Sequence, residues 1–219
     1  MGVLLLVRHG QASVGTSDYD RLSEPGRRQA QAAGARLARA ELSINQVWSG
    51  GLVRQQETGR VLLAELGRLP GDLRTDARLD EYDPAGILAG DGATDPFAAA
   101  STPESGRALQ VALDEALGRW IQGGAGYPEP HRDFAARIEA AVADLAARPG
   151  TTLAVTSAGV IAVACAQLTG LPADRWPALA RVVVNASITK VITGSTGTNL
   201  LTFNDHAHLE RDRSLITYR

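Results

Sequence analysis

The sequence predicts an α/β protein three layers deep, α/β/α, with a mostly parallel central sheet. Three observations lead there. Short apolar runs, the kind that suit strands covered on both faces, alternate with stretches of helical periodicity. Turn residues separate the two kinds of segment. Of 219 residues, 44% are hydrophobic, enough to fill one sizeable core.

Val3 to Val7 is the first apolar run and the first strand. Ser23 caps a helix, Pro25 suits its first turn, and Ala30, Ala33, Leu37 and Ala38 recur at helical spacing. Gln46 to Trp48 gives a second strand, followed by a helix from about Leu52 to Leu66. Asp72 to Leu79, entered through Pro70-Gly71, reads as a third strand. The order β-α-β-α-β is that of parallel strands joined by right-handed crossovers. From Pro84 to Pro103 the texture turns to Gly, Ala, Asp and Pro, a loop-rich insertion. A helix then carries Leu109, Leu113, Leu117 and Trp120 on one stripe, and another carries Phe134, Ile138, Val142 and Leu145. Residues 84–130 are expected to form a small helical and loop cap on a single domain spanning 1–219. Leu153 to Thr156 is a fourth buried strand. Val160 to Leu168 is a helix stopped at Gly170-Leu171-Pro172. Asn185 to Thr193 and Asn199 to Phe203, joined by Gly194 to Gly197, form a closing hairpin.

Composition narrows the function. Lys+Arg is 22 against Asp+Glu 24, a net charge of -2, so no global basic field draws the chain to nucleic acid or an anionic membrane. Cys165 is the sole cysteine, which excludes an intrachain disulfide and a cysteine zinc cluster. Met1 to Val7 lacks a basic lead and meets Arg8 too early for a signal peptide; Leu6 stands where myristoylation needs Ser or Thr. Leu153 to Leu171 is uncharged, but Thr156, Ser157, Gly159, Gln167 and Thr169 interrupt it, and it reads as strand into helix. A cytoplasmic protein is expected.

In open α/β sheets, ligands meet the loops at the carboxyl ends of the strands. Four such loops carry chemistry: Arg8-His9-Gly10, Ser49 to Arg54, Asp80-Glu81, and Ser157-Ala158-Gly159. A neutral imidazole is nucleophilic, and an adjacent guanidinium matches phosphoryl oxygens. Leu4-Leu5-Leu6-Val7-Arg8-His9-Gly10-Gln11 resembles the signature of the histidine phosphatase superfamily, phosphoglycerate mutase-like branch. Leu22-Ser23 with Gly26 and Gln29-Ala30, Trp48 to Thr58, Leu79-Asp80-Glu81, and Asn204 to Leu209 are similar to further family segments, in the same order.

The resemblance implies a phosphoglycerate mutase-like fold and hydrolysis of a phosphate monoester, with no metal or cofactor. His9 would accept the phosphoryl group as a transient phosphohistidine, and Arg8 and Arg54 would clamp its oxygens. Glu81 would protonate the leaving oxygen, with Asp80 and Asp83 as alternatives. Gln11, Ser13, Ser157 and Ala158 would add phosphate contacts. The expected ligand is phosphate or a small phosphorylated metabolite. One departure from the family pattern matters most: Ser157 stands where a second histidine is expected, so activity is expected to be weak or replaced by binding alone. Three other arrangements compete: a serine hydrolase triad of Ser157, Asp205 and His206 or His208; a metal site at Asp205, His206 and His208; and His206 standing in for the missing imidazole. His131 reads as a surface or capping residue.

Overall fold

The computed structural model describes residues 2–13, 20–40, 42–90, 103–195 and 197–218, with backbone only for 103–106. Six strands form one mixed sheet: β1 (Gly2–Arg8), β2 (Ile44–Ser49), β3 (Leu73–Thr75), β4 (Gly150–Thr156), β5 (Ile188–Gly194) and β6 (Gly197–Asp205). Their order is β3-β2-β4-β1-β5-β6. The first four run parallel, and β5 and β6 close the sheet antiparallel. Seven helices of the described residues flank it: α1 (Glu24–Arg39), α2 (Val53–Glu65), α3 (Pro84–Gly90), α4 (Pro103–Ile121), α5 (His131–Ala147), α6 (Ala158–Thr169) and α7 (Trp176–Ala180).

β1 shows how the layers arise. Alternate side chains leave opposite faces of a strand. Leu5 and Val7 join Ala33 and Leu37 of α1 and Leu62 and Leu63 of α2. Leu4 and Leu6 join Trp120 of α4, Phe134 and Ile138 of α5, and Val160 and Ile161 of α6. A strand buried on both sides has no polar alternation, which is why it reads as one apolar run. The result is a three-layer α/β fold.

The helices end as their residues dictate. The Ser23 hydroxyl accepts from the Gly26 N–H at 3.1 Å, capping α1. Gly170, with φ 67°, takes the left-handed turn that stops α6. Leu153 to Leu171 is divided between β4 and α6, and no described helix is long and apolar enough to cross a membrane.

Four details differ from expectation. Only Leu73–Thr75 of Asp72 to Leu79 pairs as strand; Pro70–Asp72 and Ala77–Leu79 are short 3-10 turns. Pro sets the first, and the Asp76 carboxylate caps the second by accepting from the Arg78 N–H. Ala38 is exposed, because the buried face of α1 runs instead through Gln29, Ala30, Ala33 and Leu37. The Pro84 to Pro103 stretch opens with α3, where Ile87 and Leu88 are buried; residues 91–102 lie outside the described ones. His131 does not sit on the surface as a cap. It begins α5 half-buried, with its ring edge-on to Trp120 at 4.9 Å and stacked with Trp176 at 6.3 Å. Its Nε2 accepts from the Trp176 indole N–H at 3.1 Å.

The loop after β1 presses on the first turn of α1. A Cβ on Gly10 would meet the Gly26 carbonyl, and one on Gly26 would meet the Gln11 carbonyl. Gly118 in α4 has open space around the same position. These two helical glycines are therefore expected to respond oppositely to alanine. Gly118→Ala should stabilise by up to about 1 kcal/mol through helix propensity. Gly26→Ala should destabilise by about 1–3 kcal/mol through forced backbone movement. Thermal unfolding of both variants measures this.

Candidate active site

β1 and β4 lie side by side, yet the helices that follow them, α1 and α6, pack on opposite faces. Adjacent strands whose helices diverge open a crevice at their carboxyl ends. The Arg8–Thr156 register sets His9 at its mouth, where the His9 N–H donates to the Thr156 carbonyl at 2.8 Å. On the other side of β4, the Gly50 N–H donates to the Val155 carbonyl at 3.1 Å. Three of the four predicted loops are thus joined through backbone hydrogen bonds.

His9 is only 6% exposed. Its Nε2 lies 3.1 Å from Nε of Arg54, and its Nδ1 lies 2.7 Å from the Gly10 carbonyl oxygen. Arginine can only donate, so Nε2 is the acceptor and Nδ1 carries the proton that Gly10 receives. Burial holds the His9 pKa well below the usual imidazole value, and the positive charges of Arg54 and Arg8 press it the same way. His9 is accordingly neutral, with its Nε2 lone pair turned toward a guanidinium.

Arg54, in the first turn of α2, is itself held. Its Nη1 pairs with the Asp20 carboxylate at 2.5 Å, and Asp20 also accepts from the Val53 N–H at 2.7 Å. Arg8 is 6% exposed, and its Nη1 donates to the carbonyls of Val183 and, at 3.0 Å, Tyr218. The Thr58 hydroxyl donates to the Arg54 carbonyl at 2.7 Å and accepts from the Gly10 N–H at 3.1 Å, tying α2 to the loop.

The fourth loop arrives with Glu81. One of its carboxylate oxygens accepts from the Gly159 N–H at 3.0 Å and the other from the Tyr82 N–H at 3.2 Å. A Cβ on residue 159 would meet that carboxylate, so glycine there is what lets the two loops touch. Burial raises the Glu81 pKa, against the lowering effects of both N–H groups and of Arg54 and Arg8. Burial raises Asp80 too, although its carboxylate accepts from the Gly51 N–H. Asp83 is turned away, accepting from the Ala85 N–H at the start of α3. Arg137 of α5 fixes this stretch by donating to the carbonyls of Arg78 and Asp80, each at 2.8 Å, while its other donors fork onto Glu129.

Ser157, immediately before α6, is fully buried. Its hydroxyl accepts from the Gln55 carboxamide at 2.9 Å, and the same nitrogen donates to the Leu79 carbonyl at 3.1 Å. Ala158 opens α6 half-buried. The Gln11 side-chain oxygen accepts from the hydroxyl of Ser23, the cap of α1, at 3.1 Å. The Ser13 N–H donates to the Arg21 carbonyl at 2.8 Å, next to the bridge between Ala12 and Leu22.

Among the described residues neither the serine hydrolase triad nor the metal site forms. Asp205 pairs with Arg36, His206 Nδ1 bonds the Asn204 carbonyl at 2.7 Å, and His208 Nε2 bonds the Ala186 carbonyl at 3.0 Å. A triad needs those groups on one another and on Ser157, whose partner is Gln55. Among the described residues, no three His, Cys, Asp or Glu side chains are grouped as metal ligands would be. Asp20, Gln55 and Arg137 were not singled out in the sequence. Gln55 carries a signal all the same, being a polar residue on the buried side of a helix.

Fold and site together define a class: an α/β protein with a neutral imidazole, flanked by arginines, at the switch point of its sheet. The chain belongs to the histidine phosphatase superfamily (branch 1), whose description matches residues 4–206. A mycobacterial glucosyl-3-phosphoglycerate phosphatase solved with inorganic phosphate is 26% identical, with a TM-score of 0.66 over 95% of this chain and 99% of that one. YhfR of Bacillus stearothermophilus, 22% identical, shares the fold with a TM-score of 0.71 over 94% and 98%. The mitochondrial serine/threonine-protein phosphatase Pgam5 of Drosophila ananassae is 42% identical over 65 residues, 29% of this chain and 22% of that protein.

The raised Glu81 pKa has a consequence for stability. A carboxyl whose folded pKa exceeds its unfolded value stabilises below the unfolded pKa and loses that contribution as pH rises through the folded one. Glu81→Gln removes the titration. As pH rises from the ordinary carboxyl range through the raised Glu81 pKa, the melting temperature of Glu81→Gln is expected to gain on that of the wild type; parallel curves would refute the linkage.

Proposed function

We propose that this chain hydrolyses a phosphate monoester through a phosphohistidine at His9. The observation that carries this reading is the neutral His9 with its Nε2 lone pair facing the Arg54 guanidinium. A phosphoryl group entering there displaces Arg54 from Nε2 and takes the guanidinium donors onto its own oxygens. Nε2 attacks phosphorus, the N–P bond forms as the P–O bond breaks, and the leaving oxygen takes its proton from Glu81. Water then attacks the phosphohistidine, giving its proton to the Glu81 carboxylate and returning His9 and inorganic phosphate. Arg8 and Arg54 offset the charge spread over the phosphoryl oxygens. The family and the phosphatase relatives support the reaction class. Segment 84–130, read as a cap, is assigned the choice of a small phosphorylated substrate.

A second reading has its own support. We read Ser157 as occupying the place of the second histidine, and His131, His206 and His208 are each bonded elsewhere. A hydroxyl supplies a hydrogen bond but no charge, and loss of one preorganised donor typically costs about 100- to 1000-fold in rate. On that reading the pocket binds a phosphorylated ligand without useful turnover.

Aryl phosphate hydrolysis by wild type and His9→Ala separates the two. Turnover abolished in His9→Ala supports the enzyme; equal background rates together with vanadate binding support the binding module. If the chain is an enzyme, kcat/KM falls as pH rises through the raised Glu81 pKa, and the acid limb set by His9 lies below the usual imidazole range. Ser157→His alone is expected to give no gain, since the Gln55 carboxamide fills the space an imidazole needs. Paired with Gln55→Ser, which clears that space, it should raise kcat about tenfold or more.

A further inference from the structure

The back of the 8–11 loop is held by an unbroken line of side-chain hydrogen bonds. The Gln11 N–H donates to the Gln29 carboxamide oxygen at 2.8 Å. The Gln29 nitrogen donates to the Leu215 carbonyl at 2.7 Å and to the Thr217 hydroxyl at 2.8 Å. That hydroxyl donates to the Asn185 carboxamide oxygen at 2.9 Å, and the Asn185 nitrogen donates to the His9 carbonyl at 3.2 Å. The Asn185 N–H meets the Thr217 carbonyl at 2.9 Å, and the Tyr218 carbonyl receives Arg8. Gln29 and Asn185 are fully buried.

The direction of this line is fixed. Gln11 and His9 contribute backbone groups whose roles cannot be exchanged, so both carboxamides have only one orientation that satisfies them. Thr217 must then accept from one carboxamide and donate to the other. Only a hydroxyl does both. Arg8, His9 and Gln11 of the signature loop are therefore tied to residues 215–218, far away in sequence, Arg8 directly and the other two through Gln29 and Asn185.

We propose that Gln29, Asn185 and Thr217 are positioning residues of the active site, and that segment 215–218 sets how Arg8 and the His9 loop meet the phosphoryl group. This rests on the phosphoryl-transfer reading above. A misplacement of about 1 Å can cost a hundredfold in rate, and the line controls displacements of that size. Thr217→Val keeps the shape and removes both bonds, whereas Thr217→Ser keeps both.

The test measures kcat and KM for an aryl phosphate in wild type, Thr217→Val, Thr217→Ser, and a core variant of α5, Ile138→Val or Ile138→Ala, matched to Thr217→Val in melting temperature. Thr217→Val should lose about tenfold to a hundredfold in kcat with a smaller change in KM. Thr217→Ser should recover to within threefold, by the same estimate of geometric sensitivity, and the matched Ile138 variant should keep wild-type kcat. Full kcat in Thr217→Val, no recovery in Thr217→Ser, or an equal loss in the Ile138 variant overturns the proposal. If the wild type itself shows no turnover, the phosphatase reading fails, and vanadate affinity becomes the readout. Tenfold weaker binding in Thr217→Val, restored in Thr217→Ser, then sustains the positioning role, and unchanged affinity overturns it.

Discussion

The hydrogen bond from Arg54 to His9 governs the chemistry of the pocket, because an arginine can give protons to a hydrogen bond and never receive one. That asymmetry makes Nε2 the acceptor, forces the remaining proton onto Nδ1, and turns it to the Gly10 carbonyl. It also opposes protonation, since a cation already stands at the lone pair. Much of the surrounding structure maintains this one contact. Asp20 holds the far side of the guanidinium, and Thr58 ties the Arg54 backbone to Gly10. The β1–β4 register brings His9 to the crevice in the first place.

Charge around the pocket is arranged in opposed pairs. Arg54 is countered by Asp20, and Glu81 is kept from ionising easily by burial despite two N–H donors and two arginines nearby. Burying a carboxyl in this way costs stability, a pattern common where a group is set up for proton transfer. Ser157 belongs to a different balance. Its hydroxyl and the Gln55 carboxamide satisfy each other away from solvent, so the position is a finished polar contact and not an empty socket.

The sheet and its loops were legible because their signals are local. Leu4 to Val7 is apolar for a strand covered on both faces, Ser23 and Gly170 punctuate their helices, and the rule for strand ends points to loops that the sheet brings together. The third strand was overread because Leu73 and Leu79 share an apolar look, whereas the Asp76 cap between them ends the pairing after Thr75. His131 reads as a surface residue because the partner of its ring nitrogen, Trp176, lies far off in the chain. The groups that position the site were illegible for the same reason. Gln29 meets Thr217, Asn185 meets His9, and Gln55 meets Ser157 across long stretches of sequence. What a reader can see is a glutamine on the buried side of a helix, a hint that a partner exists without saying which.

Tyr82 follows Glu81 directly and packs against Trp120, Phe134 and Trp176, with ring centres 5.7–5.9 Å apart. The acid is thereby anchored to the hydrophobic interior through its neighbour, and the segment read as a cap begins just beyond it, at Pro84 of α3. Under the proposed function, chemistry and selectivity rest on separable foundations. A lineage can rewrite the exposed residues of that segment, keeping Trp120, and change what it recognises with the reacting groups left undisturbed. The fold is in this sense built for divergence: its machinery is the conservative part, and its taste is free to drift.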